Sequence, residues 1–274
     1  MSAKKLMVVT DLDGSLLDDR YSWEAALPAL EKLKELKVPL VLNSSKTISE
    51  MRDLADRLGL KSPIVAENGG LVAVHEDAGF LGQDSVLARS GQYLIEINGL
   101  SRDFILSQAY ALRSKFGYKF SGFSDWSAEQ VCEHTGLSLP MAKRSQDRHA
   151  TEPILWQDST ACLAQFTEAM KAAGVRILRG GHFLHLMGMA DKADGMRAAL
   201  AMYQKQQPKV DWLVVAIGDS ANDLAMLEAA DVAVVIPHQD GPHIQPKSQR
   251  VIYASSPSTV GWNDAILTII EQEC

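Results

Sequence analysis

Asp11 and Asp13 stand two residues apart at the end of the apolar run LMVVT (6–10), with Gly14 behind them. In an extended strand alternate side chains share a face, so both carboxylates are expected to point the same way. Gly14 permits a tight turn just past them. Like charges this close raise each other's pKa unless a cation sits between them. A second acidic group closes another apolar run: VVAIG (214–218) leads into Asp219, Asn222 and Asp223. Asp219 and Asp223, four apart, share one helical face. Each group alone has an ordinary explanation, the first as an Asp-Gly turn and the second as acidic capping of a first helical turn. Together they ask for more. Ligands of parallel sheets bind beyond the carboxyl ends of the strands, and carboxylates converging there need a divalent ion. Mg2+, which takes one or two carboxylates plus substrate oxygens, is the expected cofactor.

Other residues supply the opposite polarity. VLNSSKT (41–47) ends a strand with Ser44, Ser45 and Lys46, all able to donate to anionic oxygens, while Thr47 caps the following helix. Lys192 falls in the first turn of a helix, where the dipole disfavours a cation, so an anionic partner is expected unless it is a surface lysine. Glu67 and Asn68 end a third strand, where a tight Asn-Gly turn explains them as well as a ligand does. His182 and His185 are three apart on a strand, hence on opposite faces and not a chelating pair.

The elements that must position these residues alternate. LMVV (6–9), VPLVLN (38–43) and PIVAENGG (63–70) read as strands, separated by helical spacing over 23–37 and by the helix after Thr47, which has a capping box with Glu50 and stops at Gly59. This βαβαβ order predicts a doubly wound parallel α/β sheet of the Rossmann-like kind. LVAVH (71–75) and YLIEI (93–97) are further strand candidates. Helices over 101–117, 127–136 and 159–173, with strands at 152–156, 175–179 and 182–187, form an α+β module. From 191 the first pattern resumes, with strands at 212–218 and 232–236 and a Pro- and Gly-containing loop at 237–249. The expected organisation is a core of 1–83 and 190–274 split by an inserted α+β cap of 84–189.

The 274 residues, 46% apolar and 22% charged, suit a soluble globular protein, and a net charge of -7 gives no reason to expect a nucleic-acid partner. Cys132, Cys162 and Cys274 form no CxxC pair, which leaves no zinc ribbon or disulfide framework. The apolar run before Asp11 is too short for a signal-peptide core, and no stretch is long enough for a membrane span, so a cytoplasmic location is expected.

DLDGS (11–15), Ser44, Lys192 and GDSANDLAML (218–227) resemble, in order, the four motifs of the haloacid dehalogenase superfamily of phosphatases. The insertion between the second and third motifs resembles the cap of its Cof-type sugar-phosphatase branch. LNSSKTISEM, IVAENGG and RGGHFLHLMG look, more narrowly, like mannosyl-3-phosphoglycerate phosphatases. Lys46 stands where the Cof pattern commonly has arginine, in agreement with the narrower group, and Ser15 replaces the more usual threonine. The resemblance implies Asp11 as nucleophile, Asp13 as general acid and base, and Ser44 and Lys192 as stabilisers of the phosphoryl group. It places Mg2+ on Asp11, the Asp13 carbonyl and Asp219, with Asp223 as a water-mediated ligand or an orienter. The implied substrate is a small phosphorylated sugar-glycerate, 2-O-mannosyl-3-phosphoglycerate. Lys46, Arg179, Gly180, Gly181 and His182 are then expected at the glycerate and sugar, with Ser45, Glu67, Asn68 and Asn222 as further substrate contacts. The alternatives are a phosphatase of another sugar phosphate such as glucosyl-3-phosphoglycerate, a phosphohexomutase, or a nonenzymatic phosphoryl receiver.

Overall fold

A computed structural model describes residues 4–80, 88–180 and 182–273. Strand β1 (Lys5–Thr10) is followed by α1 (Leu27–Glu35), β2 (Leu40–Asn43), α2 (Ile48–Leu58), β3 (Ile64–Ala66) and β4 (Leu71–His75). Then come β5 (Ala88–Ser90), β6 (Tyr93–Ile97), α3 (Arg102–Phe116), β7 (Phe120–Gly122), α4 (Ala128–Thr135), α5 (Leu139–Gln146) and β8 (Thr151–Trp156). The chain continues through α6 (Thr160–Ala172), β9 (Arg176–Gly180), β10 (Phe183–Met187), α7 (Lys192–Gln206) and β11 (Trp212–Gly218). It closes with α8 (Leu224–Ala229), β12 (Val232–Val235), β13 (Val251–Tyr253) and α9 (Ser258–Glu273).

The large sheet runs β13-β12-β11-β1-β2-β3-β4-β6-β5. The strands from β13 to β3 are parallel, and β4, β6 and β5 are added antiparallel. Its apolar runs are explained by burial on both faces. Leu6 and Val8 pack with α1, α2 and α9, where Trp262 and Ile266 are buried. Met7 and Val9 pack on the other side with Met196 and Tyr203 of α7 and Met226 of α8. The capping box at Thr47 and the left-handed Gly59 bound α2 as its sequence implies.

The expected boundary at 84 lies outside the described residues. The strands after it, β5 and β6, extend the large sheet: β6 pairs with β4 along its whole length, Val72 opposite Glu96. The smaller sheet, β7-β8-β10-β9, follows Ile97 and packs Phe120, Ile154 and Leu184 against Ile105 of α3 and Phe166 of α6. β13 and α9, beyond the 237–249 loop, were not anticipated from the pattern. Arg144 of α5 pairs with Asp53 of α2 at 2.6 Å and accepts on its carbonyl from Thr47 Oγ1 at 2.9 Å.

Candidate active site

Parallel neighbours β1 and β11 end side by side, and the Asp11 N–H donates to the Ile217 carbonyl at 2.9 Å. That register brings the two acidic groups together. Oxygens of Asp11, Asp219 and Asp223, all buried, lie within 4.8 Å of one another. Lys192 completes the cluster, 1% exposed, with Nζ 2.6 Å from Asp11 Oδ1 and 2.5 Å from Asp223 Oδ1. Its place in the first turn of α7 is made tolerable by Asp191, whose carboxylate accepts from the N–H groups of Ala193 and Asp194. The anionic partner expected of this lysine is thus, in the protein itself, a pair of carboxylates.

Local backbone fixes each group. Asp223 Oδ2 accepts from the Asp219 and Ser220 N–H groups at 3.1 and 3.0 Å, leaving Oδ1 for Lys192. Gly218 makes room, since a Cβ there would meet Asp223 Cβ at 2.5 Å. Gly14, at φ +77°, does the same for Asp219: an added Cβ would lie 2.6 Å from its Oδ2. Asn43, at the end of β2, donates to the Lys192 carbonyl at 2.8 Å and pins the start of α7. It was missed in the sequence, although a buried amide at a strand end beside Ser44 was there to be read.

Burial pushes the Asp11 carboxyl up to about 8, against the pull of Lys192 and with help from Asp223 and Asp219. Burial also raises Asp219, to about 6, with Asp223 adding to the shift and His238 opposing it. Burial alone would discharge Lys192; the carboxylates of Asp11 and Asp223 outweigh it and hold its pKa above the usual range. Three carboxylates share one ammonium, so all three can ionise together only if a further cation joins them. Asp219 Oδ1 is moreover buried without a hydrogen-bond partner. A hard divalent cation with oxygen ligands fits both facts, and Asp11 and Asp219 are the residues that would hold Mg2+.

The remaining expected residues separate into three sets. Asp13 is at the same mouth but not in the carboxylate cluster. β1 stops at Thr10, so strand alternation does not reach it: Asp11 is buried whereas the Asp13 side chain is 48% exposed. Asp13 Oδ2 pairs instead with Lys46 Nζ at 2.8 Å, and that carboxylate holds Lys46 above its usual pKa against the effect of burial. Ser44 is buried and its Oγ accepts from the Lys46 N–H at 3.3 Å, while Ser45 is half-buried on the same loop. Asn68, left-handed at φ 57°, accepts from Asn222 Nδ2 at 3.1 Å, so these two residues touch across the site.

Glu67 corrects its expected role. It is fully buried, and its carboxylate accepts from His149 N at 2.8 Å, Ala150 N at 3.1 Å and Thr151 Oγ1 at 2.6 Å. Both oxygens face the chain leaving α5 for β8, so Glu67, buried from solvent, ties the cap to the end of β3. Arg179, Gly180 and His182 lie exposed around the β9–β10 turn, and among the described residues no hydrogen bond or ion pair joins them to the carboxylates. Gly181 lies outside the described residues.

Residues 8–240 match the model of the haloacid dehalogenase-like hydrolases. A protein of Methanococcoides burtonii named glucosyl-3-phosphoglycerate/mannosyl-3-phosphoglycerate phosphatase is 35% identical over 269 residues, 97% of each chain. A protein of the same name from Persephonella marina is 31% identical over 97% of this chain and 98% of its own. Among solved structures, the fold is shared by a haloacid dehalogenase-like hydrolase from Bacteroides thetaiotaomicron, with a TM-score of 0.66 at 17% identity over 97% of this chain and 100% of that one. It is shared too by the sucrose-phosphatase of Synechocystis, solved with sucrose and phosphate, with a TM-score of 0.57 at 15% identity over 97% and 98% of the chains. The chain therefore belongs to the haloacid dehalogenase-like hydrolase family.

Proposed function

We propose that the protein is a Mg2+-dependent phosphatase of a glycosyl-3-phosphoglycerate, working through a phosphorylated Asp11. The observation that carries the reading is the buried junction of Asp11, Asp219, Asp223 and Lys192 at the ends of β1 and β11. Asp11 attacks phosphorus in line, the bond to the sugar-glycerate oxygen breaks, and an aspartyl-phosphate forms. Asp13 gives its proton to the departing alkoxide, then takes one from the water that hydrolyses the intermediate. Lys192 and Ser44 stabilise charge on the phosphoryl oxygens. Asp11, Asp219 and the Asp13 carbonyl would hold Mg2+, which would supply the positive charge an anionic nucleophile needs to face a phosphate.

The Lys46–Asp13 pair speaks for a substrate with a second anionic group. Lys46 Nζ lies 2.8 Å from Asp13 Oδ2, so a cation stands at the mouth of the site beside the proposed acid. A substrate carboxylate can share that ammonium, and the glycerate moiety carries such a group beside the phosphate. The names of the two relatives include both the glucosyl and the mannosyl substrate. We assign mannosyl-3-phosphoglycerate as the preferred one, on the sequence motifs, with mannosylglycerate and phosphate as products. The test is phosphate release from both glycosyl-phosphoglycerates and from simple hexose phosphates, with Mg2+ and with EDTA. Activity on the two glycosyl-phosphoglycerates that needs Mg2+ is expected; a preference for plain hexose phosphates would end the substrate assignment.

A further inference from the structure

His238 belongs to none of the roles above. It follows β12 after Ile236 and Pro237, at another carboxyl-end position of the large sheet. A four-residue hairpin holds it there, closed by the His238 N–H to the Gly241 carbonyl at 2.9 Å and the reverse bond at 3.1 Å. The His243 ring stacks on it at 3.8 Å and 10°, and His243 Nε2 is in turn 2.9 Å from Asp240 Oδ1. Through these contacts the His238 ring is fixed with Nε2 3.0 Å from Asp219 Oδ2. The approach is close but not aligned as a hydrogen bond, and Nε2 is buried with no hydrogen-bond partner among the described residues.

We propose that His238 is a positioning residue for the metal site, an inference that rests on the function proposed above. Asp219 has two oxygens in different circumstances. Oδ2 is boxed in by Gly14 on one side and His238 Nε2 on the other. Oδ1 is buried and unpartnered. Holding Oδ2 fixes the rotation of the carboxylate and presents Oδ1 to the cation. Of the three clustered carboxylates His238 meets Asp219 alone, so it acts through that ligand. Outer partners of this kind orient ligands, and their loss typically weakens metal affinity about 10–100-fold.

The test is Mg2+ binding to the full chain without substrate, by calorimetry and by the Mg2+-induced rise in melting temperature. His238→Ala is expected to weaken Mg2+ about 10–100-fold. His238→Gln, whose amide nitrogen reaches the same place, is expected to bind within about threefold of the parent. The melting temperature in EDTA should change little in either variant, since the ring lies on a surface hairpin. Mg2+ affinity in His238→Ala equal to the parent's overturns the proposal and leaves the proposed function standing. A loss of Ni2+ affinity far exceeding the loss of Mg2+ affinity overturns it in another way, by making the imidazole a direct ligand. No Mg2+ binding by the parent chain overturns both readings.

Discussion

Replacing Asp11 by Asn separates what this carboxylate does for chemistry from what it costs the fold. Asn is close in shape to a permanently protonated Asp. The folded chain holds the Asp11 carboxyl at about 8 against an ordinary 3.8, burial being the largest cause. Ionised Asp11 is therefore disfavoured in the fold. The penalty is absent below the unfolded value, where the carboxyl is protonated in both states. It grows as pH rises and levels off once pH passes the folded value. At pH 7 the linkage sets a ceiling of about 4 kcal/mol, and at pH 5 about 2 kcal/mol. Relaxation and water entry around a buried charge trim such figures, so about 2 kcal/mol at pH 7 is the working value.

For a chain of this size that corresponds to about 4–8 °C in melting temperature. In EDTA at pH 7, Asp11→Asn should melt higher than the parent by that amount, and the gap should narrow at pH 5. Saturating Mg2+ should reverse the order, because the parent gains about 2.7 kcal/mol at a hundredfold excess over Kd while the variant lacks a ligand. Phosphate release should be abolished throughout. Melting curves at two pH values, with and without Mg2+, read all of this. A variant no more stable than the parent in EDTA, with no dependence on pH, refutes the claim that crowded carboxylates await a cation.

Lys192→Met removes the one ammonium among three carboxylates, so a metal-free loss of about 3 kcal/mol or more is expected in urea melts, partly restored by Mg2+. Phosphate release should fall about 100–1000-fold. Glu67→Gln turns an acceptor into a donor facing two N–H groups and a hydroxyl. It should cost about 3 kcal/mol with KM unchanged; a raised KM with unchanged melting would restore its role as a sugar reader. Gly14→Ala carries a left-handed penalty of about 1–2 kcal/mol. Its new Cβ also displaces Asp219 Oδ2, so Mg2+ titration should show affinity at least about tenfold weaker.

The parallel half of the sheet was legible because strands buried on both faces leave unbroken apolar runs, and because Thr47, Glu50 and Gly59 mark a helix with local chemistry. The β4–β6 extension was legible as strands but not as part of the core, since pairing partners follow from register and not from local pattern. Asp11, Asp219 and Lys192 could be expected together because strand ends and a helix start are places where chain topology delivers side chains. Strand alternation misled at Asp13, one turn past the end of β1. Glu67 shows the deeper limit. Its environment is made by residues 149–151, more than 80 positions away in the chain, and nothing near Glu67 announces them.

That same contact ties the cap to the candidate site. Glu67 sits at φ 53° and Asn68 at φ 57°, both left-handed, an arrangement that costs backbone energy and persists only where surroundings hold it. Glu67 is held by residues 149–151 between α5 and β8 of the cap, and Asn68 by Asn222 of the acidic loop. The Asn68 N–H meanwhile donates to the Ser44 carbonyl, and Glu67 N–H to that of Lys46, at 2.9 Å each. The two residues thus link residues 149–151 of the cap, the Ser44–Lys46 loop and the acidic loop after β11 through a single strained turn. A shift of the cap relative to the sheet is expected to disturb this turn and, with it, the groups proposed to hold the phosphate. Loosening it at Glu67 should therefore lower kcat even where substrate still binds, which is the behaviour of a scaffold and not of a binding residue.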